Sequence, residues 1–328
     1  MNRLTLRSRG FPVSAILGLL FCLLFVTPLR AGWIRQWGQV FSDPPAGDDF
    51  VAVESGSLSG GLALRENGAL VAWGSNQYGQ CDVPSGNDFV AIAGRGTYHL
   101  ALRADGSLTA WGDNESGQCD VPPGNGFAAI ATGASFALAL KQDGTLSAWG
   151  NKSHGECDVP EGNDFVDVAA GIMHGVALKR DGSLVGWGDD NFDALPVPPG
   201  NDFVDVAAGA YNGVAIKSDG SLVVWGLNNR GQHLVPGGND YVAIAGGLQA
   251  GHFLALRSDG SLAAWGWNGN GQCDVPEGNH FVDIAVGAFH SLAIEDVPPV
   301  PEPSTLMLLG ATVGVLLCVL QTVRRIGH

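Results

Sequence analysis

A Trp-Gly pair recurs seven times along this chain, at Trp37, Trp73, Trp111, Trp149, Trp187, Trp225 and Trp265, at intervals of 36 to 40 residues. Self-similarity at such a period constrains the fold more than any local signal, because it means that one small unit is copied and stacked. Each unit reads as extended chain. In the copy from Phe165 to Pro198, apolar runs cover Phe165 to Ala169, Gly175 to Lys179 and Ser183 to Trp187, with a weaker fourth run at Leu195 to Val197. Between the second and third runs stands Asp181 before Gly182, and the same turn appears at Asn67, Asp105, Asp143, Asp219 and Asp259, each before Gly. Such dipeptides between apolar runs predict a two-residue hairpin turn with both residues at positive φ.

A unit of this size cannot bury both of its faces alone, whereas copies stacked around an axis bury them and leave only short edges. The expected fold is therefore all-β: a seven-bladed β-propeller of four-stranded antiparallel blades. The phase of the repeat adds a further expectation. The chain enters with third and fourth strands, Trp33 to Gly38 and Val40 to Pro45, and leaves with first and second strands, Phe281 to Ala285 and Ser291 to Glu295. One blade is then shared between the two ends, which removes the edge an open array would expose.

The ends read as addresses. Residues 1–31 carry Arg3, Arg7 and Arg9, an apolar run from Phe11 to Val26, and Ala31 where cleavage fits, which is the pattern of a signal peptide. The repeats occupy residues 32–296. Residues 297–305 form a Pro-rich linker, and residues 306–328 hold an apolar stretch of transmembrane length followed by Arg324 and Arg325. In order, Pro301, Glu302 and Pro303, the apolar stretch and the Arg pair resemble the PEP-CTERM sorting signal of exported bacterial proteins. That resemblance implies an exosortase-type processing enzyme as partner, membrane attachment through the C-terminal helix before processing, and a destination at the cell surface or in the extracellular matrix.

Charge narrows the partners. Residues 32–296 hold 11 Lys and Arg against 31 Asp and Glu, with no basic cluster, so neither nucleic acid nor an anionic membrane surface fits them. The run Trp73-Gly-Ser-Asn-Gln-Tyr-Gly-Gln, and Phe281 to Ala285 continuing through Gly287 to His290-Ser-Leu-Ala-Ile, resemble repeats of the regulator of chromosome condensation family. The resemblance spans almost all of residues 33–296 and is nearer to short bacterial forms. It implies a seven-bladed propeller with a shared closing blade, and binding through loops at one end.

No residue set of a known catalytic chemistry stands out, and no cofactor is expected. The seven Trp read as packing between units. His174, His252 and His290 share one repeat position, with His99 one place later, and equivalent positions spread around a ring instead of converging on one ion. Cys81, Cys119, Cys157 and Cys273 also share one position, too far apart between blades for a disulfide, so four reduced, largely buried thiols are expected. The Gly-Asn-Asp-Phe turns bring one carboxylate each, short of what calcium needs. Recognition is expected where units differ: five residues after Trp stand Tyr78, Ser116, His154, Phe192, Arg230 and Asn270, and Trp267 adds an aromatic beside Trp265. Aromatics and Arg anchor interfaces, which selects Tyr78, His154, Phe192, Arg230 and Trp267 as candidate binding residues. The expected function is an exported, non-enzymatic binding or scaffold protein recognising a protein or glycan through one propeller face. The alternatives are an enzyme with its site at the channel mouth and a secreted enzyme inhibitor.

Overall fold

The computed structural model describes residues 31–56, 60–247 and 251–296. The expected signal peptide, linker and transmembrane helix fall outside these residues, among which no helix is long and apolar enough to cross a membrane.

Among the described residues twenty-one strands follow one another, all pairing antiparallel. β1 (Trp33–Gly38) comes first, and six three-stranded sheets follow in chain order. They are β2 (Phe50–Ser55), β3 (Gly61–Arg65) and β4 (Leu70–Trp73); β5 (Phe89–Arg95), β6 (Tyr98–Arg103) and β7 (Leu108–Gly112); and β8 (Phe127–Thr132), β9 (Phe136–Lys141) and β10 (Leu146–Gly150). Then come β11 (Phe165–Ala170), β12 (His174–Lys179) and β13 (Leu184–Gly188); β14 (Phe203–Ala208), β15 (Asn212–Lys217) and β16 (Leu222–Gly226); and β17 (Tyr241–Gly246), β18 (His252–Arg257) and β19 (Leu262–Gly266). The last two strands, β20 (Phe281–Val286) and β21 (His290–Glu295), take β1 as their third, with Trp33 opposite Glu295 and Gly38 opposite His290. The chain ends thus close one sheet together.

The first strands of successive sheets pack on one another in the order β2, β5, β8, β11, β14, β17 and β20, and β20 packs back on β2. They form the inner wall of a closed ring. Burial on both faces explains their composition: all six residues of β11 are buried, and small residues such as Ala169 and Ala170 of β11 and Ala91 and Ala93 of β5 let the strands converge. The core lies between sheets, as where Phe136, Leu138 and Leu140 pack against Phe165, Val168 and Trp187. Each repeated Trp adds a polar tie to its neighbour. Trp111, Trp149, Trp187, Trp225 and Trp265 donate Nε1–H to main-chain carbonyls of Gln80, Gln118, Glu156, Ala194 and Gln232 at 2.9–3.0 Å, and Trp37 does so to Gln272 across the closing sheet. The Trp are structural.

Two expectations are corrected. The hairpins are three-residue loops: Gly68, Gly106, Gly144, Gly182, Gly220 and Gly260 have φ of 80–85°, but the Asn or Asp before each does not have positive φ. That preceding side chain instead turns back on the chain, as where Asp105 Oδ1 accepts from Ser107 N at 2.9 Å. The fourth strand is also not formed, and each sheet has three. Its donors are spent locally: Cys81, Cys119 and Cys273 N–H donate to Asn76, Asn114 and Asn268 at 2.8 Å, Val83 N–H donates to Cys81 O, and Pro84 has no N–H to give. The four Cys of these segments are free, and they are half-buried where deeper burial was expected, because the segments that carry them run as loops at the outside of each sheet. Burial raises the Cys119 and Cys157 thiols to about 11 and Cys273 to about 12, with the Asp113, Glu156 and Asp274 carboxylates adding to the rise. They are poor nucleophiles.

Candidate functional site

Antiparallel pairing puts the hairpin turns at one end of the ring and two other loop sets at the opposite end. These are the loops joining each first strand to its second and the loops that leave each third strand. The two sets are tied together, as where Asp113 N–H donates to Thr97 O and Asp189 N–H to Met173 O. All five candidate binding residues, Tyr78, His154, Phe192, Arg230 and Trp267, belong to this loop end.

The loops after the third strands share one internal architecture. The main-chain N–H of Tyr78, Ser116, His154, Arg230 and Asn270 donates to the side-chain oxygen two residues on, of Gln80, Gln118, Glu156, Gln232 and Gln272, at 2.7–2.9 Å. These acceptors are buried, while Tyr78, His154 and Arg230 are exposed. Each loop therefore holds one variable side chain outward on a fixed frame.

The loop after β13 departs from that frame. Where the others carry Gly at φ of 76–80°, Asp193 stands at φ 59°, and Ala194 replaces the Gln or Glu acceptor. Phe192 itself adopts φ 65° and is 57% exposed. A bulky residue in the left-handed region is held there at a cost of roughly 1–3 kcal/mol. Its ring rests on Tyr211 of the next sheet, centroids 5.1 Å apart. On the following sheets, the Arg230 guanidinium lies 4.8 Å from the Trp267 ring centroid, and Trp267 meets Phe289 edge-on at 5.6 Å. Phe192, Arg230 and Trp267 thus share one sector of the loop end, spread over consecutive sheets. His154 and Tyr78 stand on the sheets of β10 and β4, which adjoin that sector on its two sides.

Tyr211 and Phe289 were not singled out by sequence. Nor was Arg95, the last residue of β5, where the other six repeats have Gly56, Gly133, Gly171, Gly209, Gly247 and Gly287. Its guanidinium spans the inner ring and donates to Ala170 O at 2.5 Å, Ala208 O at 2.6 Å and Gly246 O at 2.9 Å. The cavity beside it, about 50 Å³ and also lined by Glu54, Thr132 and Asp167, has room for a few waters only.

The buried His serve the ring. His252 Nε2 lies 3.1 Å from Ser291 Oγ, and His290 Nε2 lies 3.2 Å from Gly60 O, each partner on the next sheet. Among the described residues no group of His, Cys, Asp or Glu is placed to hold a metal. Desolvation holds His99 and His174 down to about 4, and His252 down to about 3.

The regulator of chromosome condensation (RCC1) repeat matches residues 50–80, 127–156, 165–193, 203–232 and 242–272, and the PEP-CTERM protein-sorting motif matches residues 299–325. No curated protein matches the chain in sequence. Solved structures resemble it in fold. Human WBSCR16 is 17% identical at a TM-score of 0.66, covering 81% of this chain and 99% of its own. Prp20p of Saccharomyces cerevisiae is 17% identical at a TM-score of 0.68, covering 87% and 96%; its description reports binding to Gsp1p and histones. The ectodomain of receptor kinase CR4 from Physcomitrella patens is 20% identical at a TM-score of 0.63, covering 76% and 71%. A PEP-CTERM motif indicates export and sorting to the bacterial cell envelope, with processing by an exosortase. The chain thus carries five matches to the regulator of chromosome condensation repeat in an all-β, propeller-type fold, followed in sequence by a PEP-CTERM sorting motif.

Proposed function

We propose that the seven sheets act as the blades of a propeller which, once exported, binds a protein or glycan at the cell surface or in the matrix through its loop end, without catalysis. The observation that carries this reading is the sector of Phe192, Tyr211, Arg230, Trp267 and Phe289. It joins exposed and half-buried aromatic surface to a guanidinium on consecutive sheets. Such residues supply the anchors of binding surfaces, and rigid loop frames lower the entropy lost on binding. Arg95 at the inner ring and the small volume beside it favour the loops over the channel mouth as the place of contact.

The test is binding of the full-length chain to a glycan array and to co-exported proteins, compared with Phe192→Ala and Trp267→Ala and with the hairpin-end control Asp181→Ala. Loss of one central anchor is expected to weaken binding roughly 30-fold, from about 2 kcal/mol. The control is expected to bind like the parent. Equal binding by all four proteins overturns the assignment of the loop end.

A further inference from the structure

The position of Arg95 is closed to a side chain at Gly133, Gly171, Gly209, Gly247 and Gly287, and only tight at Gly56. A Cβ at Gly171 would come within 2.8 Å of Gly209 O, and one at Gly247 within 2.9 Å of Gly287 O, each from the next sheet. β5 escapes this by running one residue longer than the other first strands, with the turn glycine displaced to Gly96 at φ 83°. The site gains a side chain at the inner wall.

That side chain does not fold back on its own sheet. Its acceptors include the carbonyls of the last residues of β11, β14 and β17, which belong to three consecutive sheets beyond the neighbour of β5. Nη1 takes one carbonyl and Nη2 the other two. A planar fork with donors on both nitrogens suits carbonyls arrayed along an arc, whereas an ammonium on a flexible stem acts as a point charge. Hydrogen bonds from a charged donor are worth roughly twice neutral ones, and the low dielectric of a narrow channel strengthens them.

We propose that these three carbonyls form a guanidinium site at the loop-end mouth of the channel, which the chain fills with its own Arg95, adding a side-chain brace across three sheets of which the first two are otherwise joined there by Ile172 N–H donating to Ala210 O. These three acceptors are backbone atoms, so they persist when the side chain is removed, and Glu54 and Asp167 line the same cavity. Its ligand class is the small planar guanidinium cation.

The test is thermal melting of the full-length chain with Arg95→Ala, with and without guanidinium chloride at low millimolar concentration, against sodium chloride of equal ionic strength. The variant is expected to melt about 5 °C lower, and guanidinium to restore most of that loss in a saturable way, where sodium does not. Arg95→Lys is expected to melt between the two and to gain less from guanidinium. An unchanged melting temperature in Arg95→Ala, or equal recovery in both salts, overturns the proposal. Should Arg95→Ala not fold, nitrogen-15 spectra of the parent decide: guanidinium protons of Arg95 exchanging far more slowly than those of exposed Arg support the site, and exchange at the solvent rate overturns it.

Discussion

The two ends of the ring are built from the same repeat but differ in how far they vary. At the hairpin end, Arg65, Arg103, Lys179, Lys217 and Arg257 each lie over the ring of Phe50, Phe89, Phe165, Phe203 or Tyr241 and pair with Asp49, Asp88, Asp164, Asp202 or Asp240. At the loop end the frame repeats while its outward residue changes from Tyr78 to Ser116, His154, Phe192, Arg230 and Asn270. Uniformity marks what each sheet needs in order to pack; variation marks positions released from that need. The hairpin end therefore belongs to folding, and the loop end is where recognition can be placed without loss of the ring.

The largest test of this division removes part of the ring itself. Deleting residues 33–45 takes β1 from β21 and strips Ile34 and Trp37 from the packing around Phe50, Leu292 and Ile294 and around Phe281. It leaves β21 as an unpaired edge. The melting temperature is expected to fall by more than roughly 10 °C, with a tendency to aggregate. A melting transition equal to that of the parent would show that closure contributes nothing, and the ring would then be an open array.

A smaller effect follows from the histidines buried at the starts of second strands, beneath the loop end. His99, His174 and His252 are buried and neutral, held by desolvation at about 4, 4 and 3 against an ordinary value of 6.5. The unfolded chain binds protons at these sites as pH falls through 6.5, and the folded chain does not until about 4 at His99 and His174 and about 3 at His252. Stability is therefore full above pH 6.5 and declines between there and pH 4. At pH 4.5 each buried His is expected to cost on the order of 2 kcal/mol, read as a lower urea midpoint than at pH 7.5. His174→Asn, the residue that β15 carries at Asn212, is expected to flatten part of that slope; an unchanged slope would place the acid sensitivity elsewhere.

Most of the architecture was legible because its determinants are repeated and local. Phe165 to Ala170, buried on both faces, reads as an inner strand in any copy, and Gly182 marks its hairpin wherever the copy starts. The phase of the first and last units was enough to show the shared closing sheet. The fourth strand was misread because apolar residues such as Val83 suggested pairing, while Asn76 and Pro84 removed the donors that pairing requires. The binding sector was only half visible. Tyr211 and Phe289 lie in a different loop set from Phe192 and Trp267, and only stacking of consecutive sheets brings them together. Arg95 did leave a signal, an Arg where six repeats have Gly, but its acceptors lie 75 to 151 residues away and no local pattern points to them.

The finest distinction between the ends lies in one loop. Asp193 at φ 59° occupies the place where Gly79, Gly117, Gly155, Gly231 and Gly271 have φ of 76–80°. Glycine enters that region without a Cβ clash, so Asp193→Gly is expected to stabilise the chain by about 0.5–1 kcal/mol, a rise of a few degrees in melting temperature. The hairpin end offers no such gain, because every left-handed turn position described there is already Gly. If the strain serves to hold Phe192 against Tyr211, the same substitution lowers affinity at the loop end as it raises stability, since a freed loop must be ordered again on binding. A chain that becomes more stable and binds as tightly as before would show that the departure of this loop is incidental. The binding sector would then rest on Arg230, Trp267 and Phe289 alone.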